Sequence, residues 1–86
     1  MGHMKISRSF KIVRRLNKIL LYSSEEGDLF QINEIGAFIL EQIRTGKNEA
    51  EIVLELERET HGKKDIINED VTEFLKILKE KGILDD

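Results

Sequence analysis

Side chains able to do covalent or acid–base chemistry are few in this chain, and their spacing narrows the options further. Cysteine is absent, which removes thiolate nucleophiles, disulfides, thiolate zinc sites and iron–sulfur clusters. His3 falls in Met1-Gly2-His3, which reads as a cloning remnant ahead of a native start at Met4. The other histidine, His61, stands beside Gly62 in a polar loop, where a lone imidazole reads as a solvated residue rather than a base or ligand. Carboxylates crowd one segment: Glu49, Glu51, Glu55, Glu57 and Glu59. Of these, Glu51, Glu55 and Glu59 recur at i,i+4, the spacing of the wet face of a helix. Carboxylates on an exposed helix lack the cleft that glycoside hydrolysis needs. No His/Asp/Glu grouping has metal-ligand spacing, and neither a phosphate-cradling glycine loop nor a Gly-x-Ser-x-Gly elbow occurs. The expectation is a non-enzymatic chain without cofactor or metal.

What remains is binding, and size and charge bound it. Eighty-six residues make one small domain, expected over 4–86, that buries about 60–65% of its unfolded surface. That leaves room for one groove rather than a deep catalytic cavity. No apolar run approaches the roughly 18–20 residues of a membrane span, and the N-terminus lacks the apolar core of a signal peptide. Together with the missing cysteines, this leads us to expect a cytoplasmic protein. Charge is unevenly placed. Residues 1–18 carry six cations (Lys5, Arg8, Lys11, Arg14, Arg15 and Lys18) and no acid, whereas the other eight cations face 17 carboxylates over 19–86. A mostly acidic chain argues against nucleic-acid binding, which draws its affinity from phosphate neutralisation. The basic segment reads as solvated edge-strand charge that discourages edge-to-edge pairing.

The elements that must position any groove follow from periodicity. Phe10 and Ile12 alternate with Lys11 as in a half-buried strand. Arg15 to Asn17 turns the chain, Lys18 to Ser23 is a compact strand, and Ser24 to Asp28 suits a hairpin loop. Leu29 to Ile32 returns as the third strand. Asn33 then caps a helix over Glu34–Arg44, because its side-chain oxygen can take a free N–H of the first turn. Ile35, Phe38, Ile39 and Ile43 recur at helical spacing along it. Gly46 stops this helix. Asn48 caps a second, with Ile52, Val53 and Leu56, that ends near Thr60. His61 to Asp65 reads as a loop, and Asn68 as the cap of a third helix striped by Val71, Phe74, Leu75 and Leu78. Gly82 ends it, and Ile83-Leu84 tuck onto the core. Gly36, inside a helix where glycine costs about 0.5–1 kcal/mol relative to alanine, implies close packing on the sheet or a neighbouring helix. Ile77 falls off the main stripe toward Phe74, among Asp70, Glu73 and Lys81, and reads either as a scattered exposed residue or as a groove wall. The fold class is α+β: a three-stranded antiparallel sheet followed by three helices, winged-helix-like.

The strand-to-helix passage Leu29-Phe30-Gln31-Ile32-Asn33-Glu34-Ile35-Gly36-Ala37 resembles the signature of the PqqD-like family, also called RiPP recognition elements. The resemblance is carried by Phe30, Ile32, Asn33, Gly36 and Ala37, and its pattern extends along residues 10–84, including the Gly46 break and the closing Gly82-Ile83-Leu84. It implies a non-catalytic module that binds the leader of a ribosomally synthesised precursor peptide by β-strand addition and delivers it to a modifying enzyme, a radical SAM enzyme or a leader peptidase. By the same resemblance the leader would pair with Asp28, Leu29, Phe30, Gln31 and Ile32, facing Asp70, Glu73, Phe74, Ile77 and Lys81 of the third helix. That acidic and apolar mix suits apolar anchors and one basic residue. Lys11, Arg14 and Arg15 would offer the enzyme a docking surface.

Two other classes fit the order of elements. A winged-helix DNA-binding regulator would need a basic recognition helix, yet Glu69, Asp70 and Glu73 lead the third helix. A small adaptor subunit would associate with an enzyme and bind no short peptide.

Overall fold

The structure is a computed structural model that describes residues 4–25 and 27–85; the remnant expected at 1–3 lies outside it. The elements are β1 (Lys5–Ile6), β2 (Phe10–Arg15), β3 (Lys18–Ser23), β4 (Leu29–Ile32), α1 (Glu34–Arg44), α2 (Glu49–Thr60), α3 (Lys64–Glu80) and β5 (Leu84–Asp85). Strands β2, β3 and β4 form the expected antiparallel sheet in that order. Its register pairs Phe10 with Ser23, Ile12 with Leu21, Leu21 with Phe30 and Ile19 with Ile32. Because side chains alternate across a strand, these residues share the face that meets the helices. Leu21 and Ile19 are buried there, and Phe30 and Ile32 are half-buried.

The pairing of Arg15 with Lys18 confines the first turn to Leu16-Asn17, so Arg15 ends β2 instead of opening the turn. Leu16 takes a left-handed backbone (φ 54°), which reverses the chain in two residues at a steric cost for a non-glycine side chain. A second, two-stranded sheet pairs β1 with β5, Ile6 opposite Leu84. It fixes the tail expected to tuck back: Ile83 and Leu84 are buried, and Ser7 N–H donates to the Ile83 carbonyl at 2.8 Å.

Caps set the helix starts. Asn33 Oδ1 accepts from Gly36 N–H at 2.7 Å. Asn48 and Glu51 form a reciprocal capping box at the head of α2. Thr45 closes α1 and Gly46 follows in the left-handed region (φ 89°). The third helix departs from expectation. It begins at Lys64, with Lys63 as a cap position lacking a side-chain bond, so Asn68 lies one turn inside and is exposed. Tertiary packing overrides the cap signal, because Ile67, four residues before Val71, packs against the core and extends the stripe by a turn. The α1 stripe shifts too: Gly36, Ala37, Ile39, Leu40 and Ile43 are buried, while Ile35 stays 42% exposed. One core joins Phe10 and Leu21 of the sheet to Leu40, Ile52, Val71 and Leu78 of the helices, with Ile83 and Leu84.

Candidate functional site

The outer edge of β4 is open: among the described residues no strand pairs with it. Two hydrogen bonds at the strand ends fix which of its backbone groups are free. Ser23 N–H donates to the Asp28 carbonyl at 2.9 Å, and Ser24 N–H donates to the Ser9 carbonyl at 2.6 Å. In an antiparallel ladder hydrogen-bonded pairs alternate with non-bonded pairs. Ser23 and Asp28 are therefore a bonded pair, and so, two residues on, are Leu21 with Phe30 and Ile19 with Ile32. Leu29 and Gln31 belong to the alternate set, and their N–H and C=O groups point away from β3. Four residues of strand thus present two residues' worth of unpaired backbone in the geometry a further strand requires.

Beside this edge runs α3. Leu29, Phe30, Gln31 and Ile32 line a groove of about 400 Å³ together with Phe74, Ile77, Leu78 and Lys81, floored by Leu21 and Ile83. Lys81 Nζ stands 4.5 Å from the centroid of the Phe30 ring, a cation–π distance that closes one end with a positive charge. The wall is otherwise apolar. Ile77 keeps 42% of its surface exposed, while Leu29 and Gln31 border the groove through their backbone, their side chains turned to the outer face of the sheet. The structure therefore gathers Leu29, Phe30, Gln31, Ile32, Phe74, Ile77 and Lys81 around one cleft. Asp28 lies outside it, its carbonyl engaged by Ser23.

Asp70 and Glu73 border an adjoining hollow of about 450 Å³ that shares Phe74 and Ile77 with the groove. Ile35, Gly36, Ile39, Leu56, Ile67 and Val71 also line it, and sequence reasoning did not collect these residues into a site. The available signal was Gly36. A Cβ placed there would lie 3.1 Å from Phe74 Cζ and 3.4 Å from Asn33 Oδ1. The glycine thus lets α3 bring the Phe74 ring against the first turn of α1, which resolves the expected close approach in favour of a neighbouring helix. Phe74 and Ile77 form a ridge between the two hollows, so Ile77 is a wall and not a stray surface residue.

Among the described residues no group of three or more His, Asp or Glu could hold a metal ion, and no helix is long and apolar enough to cross a membrane. His61 sits exposed at the left-handed C-cap of α2, its N–H bonded to the Glu57 carbonyl. Glu51 is used by its capping box and Glu55 is half-buried between Lys47 and Arg58, so that row is structural as well as wet. Helix α3 carries Lys64, Lys76 and Lys79 against Asp65, Glu69, Asp70, Glu73 and Glu80, an excess of carboxylate that repels phosphate. The three cations expected to share a docking surface do not share a face. Arg14 lies on the helix side and bonds Glu34 at 3.1 Å, whereas Lys11 and Arg15 point the other way, because odd and even positions of β2 face oppositely.

Comparison with known proteins places this geometry. A family model described as coenzyme PQQ synthesis protein D (PqqD) matches residues 18–84. No curated protein matches the chain. Two solved structures are similar to it. TbiB1 in complex with the TbiA(beta) leader peptide shares 25% identity over 94% of each chain, with a TM-score of 0.83. Lasso peptide synthetase B1 complexed with the leader peptide shares 18% identity over 99% of this chain and 100% of that one, with a TM-score of 0.88; at that identity the likeness is one of fold.

Proposed function

The chain belongs to the PqqD family, and from that premise we propose that it is a non-catalytic module that binds the leader of a ribosomally synthesised precursor peptide. The leader adds a strand to β4, antiparallel sheet edges being templates for such pairing. Its backbone bonds to Leu29 and Gln31, and its inward side chains enter the cleft against Phe30, Ile32, Phe74 and Ile77. One observation carries this reading: an open strand edge with outward backbone groups lies directly beside an apolar, half-exposed helix wall. The module then delivers the peptide in the cytoplasm to a modifying enzyme, a radical SAM enzyme or a leader peptidase. Asp70 and Glu73, bordering the second hollow, suit a basic residue of the leader, while apolar anchors fill the cleft.

The test is a calorimetric titration with the leader peptide encoded beside this chain, with random duplex DNA at low salt as the competing ligand. The expected result is saturable leader binding at micromolar affinity or tighter and no salt-sensitive association with duplex. No heat at near-millimolar peptide, or salt-sensitive duplex binding, would refute the reading.

A further inference from the structure

The sheet has a second face, turned away from the helices, that the leader-binding reading leaves unused. The register sets Val13 beside Leu20, and Tyr22 between Lys11 and Leu29 on this side. A solvent-facing antiparallel sheet is normally polar on its outer side. Here the central positions are apolar: Val13, Leu20 and Tyr22 are half-buried by their neighbours and Leu29 is 58% exposed. Around them stand the exposed cations Lys11, Arg15 and Lys18. The strands place no carboxylate on this face, although the chain is net −3. Among the described residues no ion pair engages these three cations. At the hairpin tip between Arg15 and Lys18, Leu16 is fully exposed on a left-handed backbone. That residue has neither burial nor local geometry to recommend it in the isolated fold.

We propose that this outer face docks the enzyme that acts on the bound peptide, through an apolar patch of that enzyme rimmed by carboxylates. The proposal rests on the leader-binding reading, and two features select this occupant. The unpaired cations around an apolar centre are complementary to an acidic rim and repel a basic one. The face is also continuous with the leader site, since Leu29 and Gln31 contribute their side chains here and their backbone edge to the peptide. A protein seated on this face lies one strand away from the leader, where the segment leaving the groove reaches it.

The chain, isotopically labelled and saturated with its leader, is titrated with the purified modifying enzyme encoded beside it. Amide shifts are expected over Lys11–Lys18 and Leu20–Tyr22. Charge reversal by Lys11→Glu, Arg15→Glu and Lys18→Glu together should weaken the enzyme by about 10-fold or more and flatten its salt dependence, while leader affinity stays within about twofold. Leu16→Gly supplies a control that misfolding cannot mimic. It relieves the left-handed backbone and raises Tm, yet should weaken enzyme binding. An enzyme that holds the charge-reversed chain as tightly as the original, or shifts confined to α1 and α2, would overturn the proposal. So would binding of this face to phosphatidylserine vesicles with none to the enzyme. Failure of the leader to bind, with enzyme shifts intact on this face, would refute the proposed function while upholding the docking surface.

Discussion

Truncating Ile77 to alanine separates a groove wall from an ordinary surface residue. Ile77 leaves 42% of its surface to solvent on the ridge between the two hollows. Full burial of such a side chain is worth about 1.5–3 kcal/mol, so covering the exposed part with a leader side chain contributes about 0.6–1.3 kcal/mol. Lost in Ile77→Ala, that is about a three- to ninefold rise in Kd for the leader. The fold itself loses only the part already buried, partly offset by the better helix propensity of alanine, so the variant remains folded for the assay. Ile66→Ala is the matched control: Ile66 sits on the same helix, 54% exposed, and lines neither hollow. Titration calorimetry with the same leader should give a Kd for Ile66→Ala within about twofold of the parent. Equal weakening by both variants, or none by Ile77→Ala, would refute the assignment of the groove.

Two further substitutions probe how the site is held. Asn33→Ala removes the acceptor for Gly36 N–H and should cost about 1 kcal/mol, lowering Tm by about 4–8 °C; an unchanged Tm in a calorimetric scan would contradict the capping role. Gly36→Ala sets a helix-propensity gain of about 0.5–1 kcal/mol against a methyl 3.1 Å from Phe74 Cζ. Stability should therefore change little, while the Phe74 ring resonances move and leader affinity falls. A more stable variant with unmoved Phe74 resonances would show that the glycine serves no close approach. The Arg14–Glu34 bridge joins two exposed side chains, so Arg14→Ala should change stability by less than about 1 kcal/mol in denaturant melts.

The parts of this structure legible in the sequence are those governed by local chemistry. Asn33, Asn48, Gly46 and Gly82 mark their helix ends because caps and left-handed turns depend on a few adjacent atoms. The three-stranded sheet follows from alternation at Phe10–Ile12 and from the apolar run Ile19–Tyr22. What escaped the reading depends on distant partners. Strands β1 and β5 have two residues each, too few to show a period, and exist because the two ends of the chain meet. Asn68 has the residue type of a cap, yet packing of Ile67 on the core starts α3 a turn earlier. Ile35 matched the helical spacing of α1 but lies at the margin of the buried arc, beside the second hollow. The opposed directions of Arg14 and Arg15 follow from strand alternation once the register with β3 is known; charge counting alone grouped them together.

The most direct test of strand addition is amide hydrogen exchange along β4 with and without the leader. In the free chain Phe30 and Ile32 already donate to β3, whereas the N–H groups of Leu29 and Gln31 face outward. Leader binding is predicted to slow exchange at Leu29 and Gln31 markedly and to change Phe30 and Ile32 little, an alternation that only a strand paired at this edge produces. Uniform slowing along Leu29–Ile32, or protection confined to α3 with Leu29 and Gln31 still exchanging freely, would contradict it.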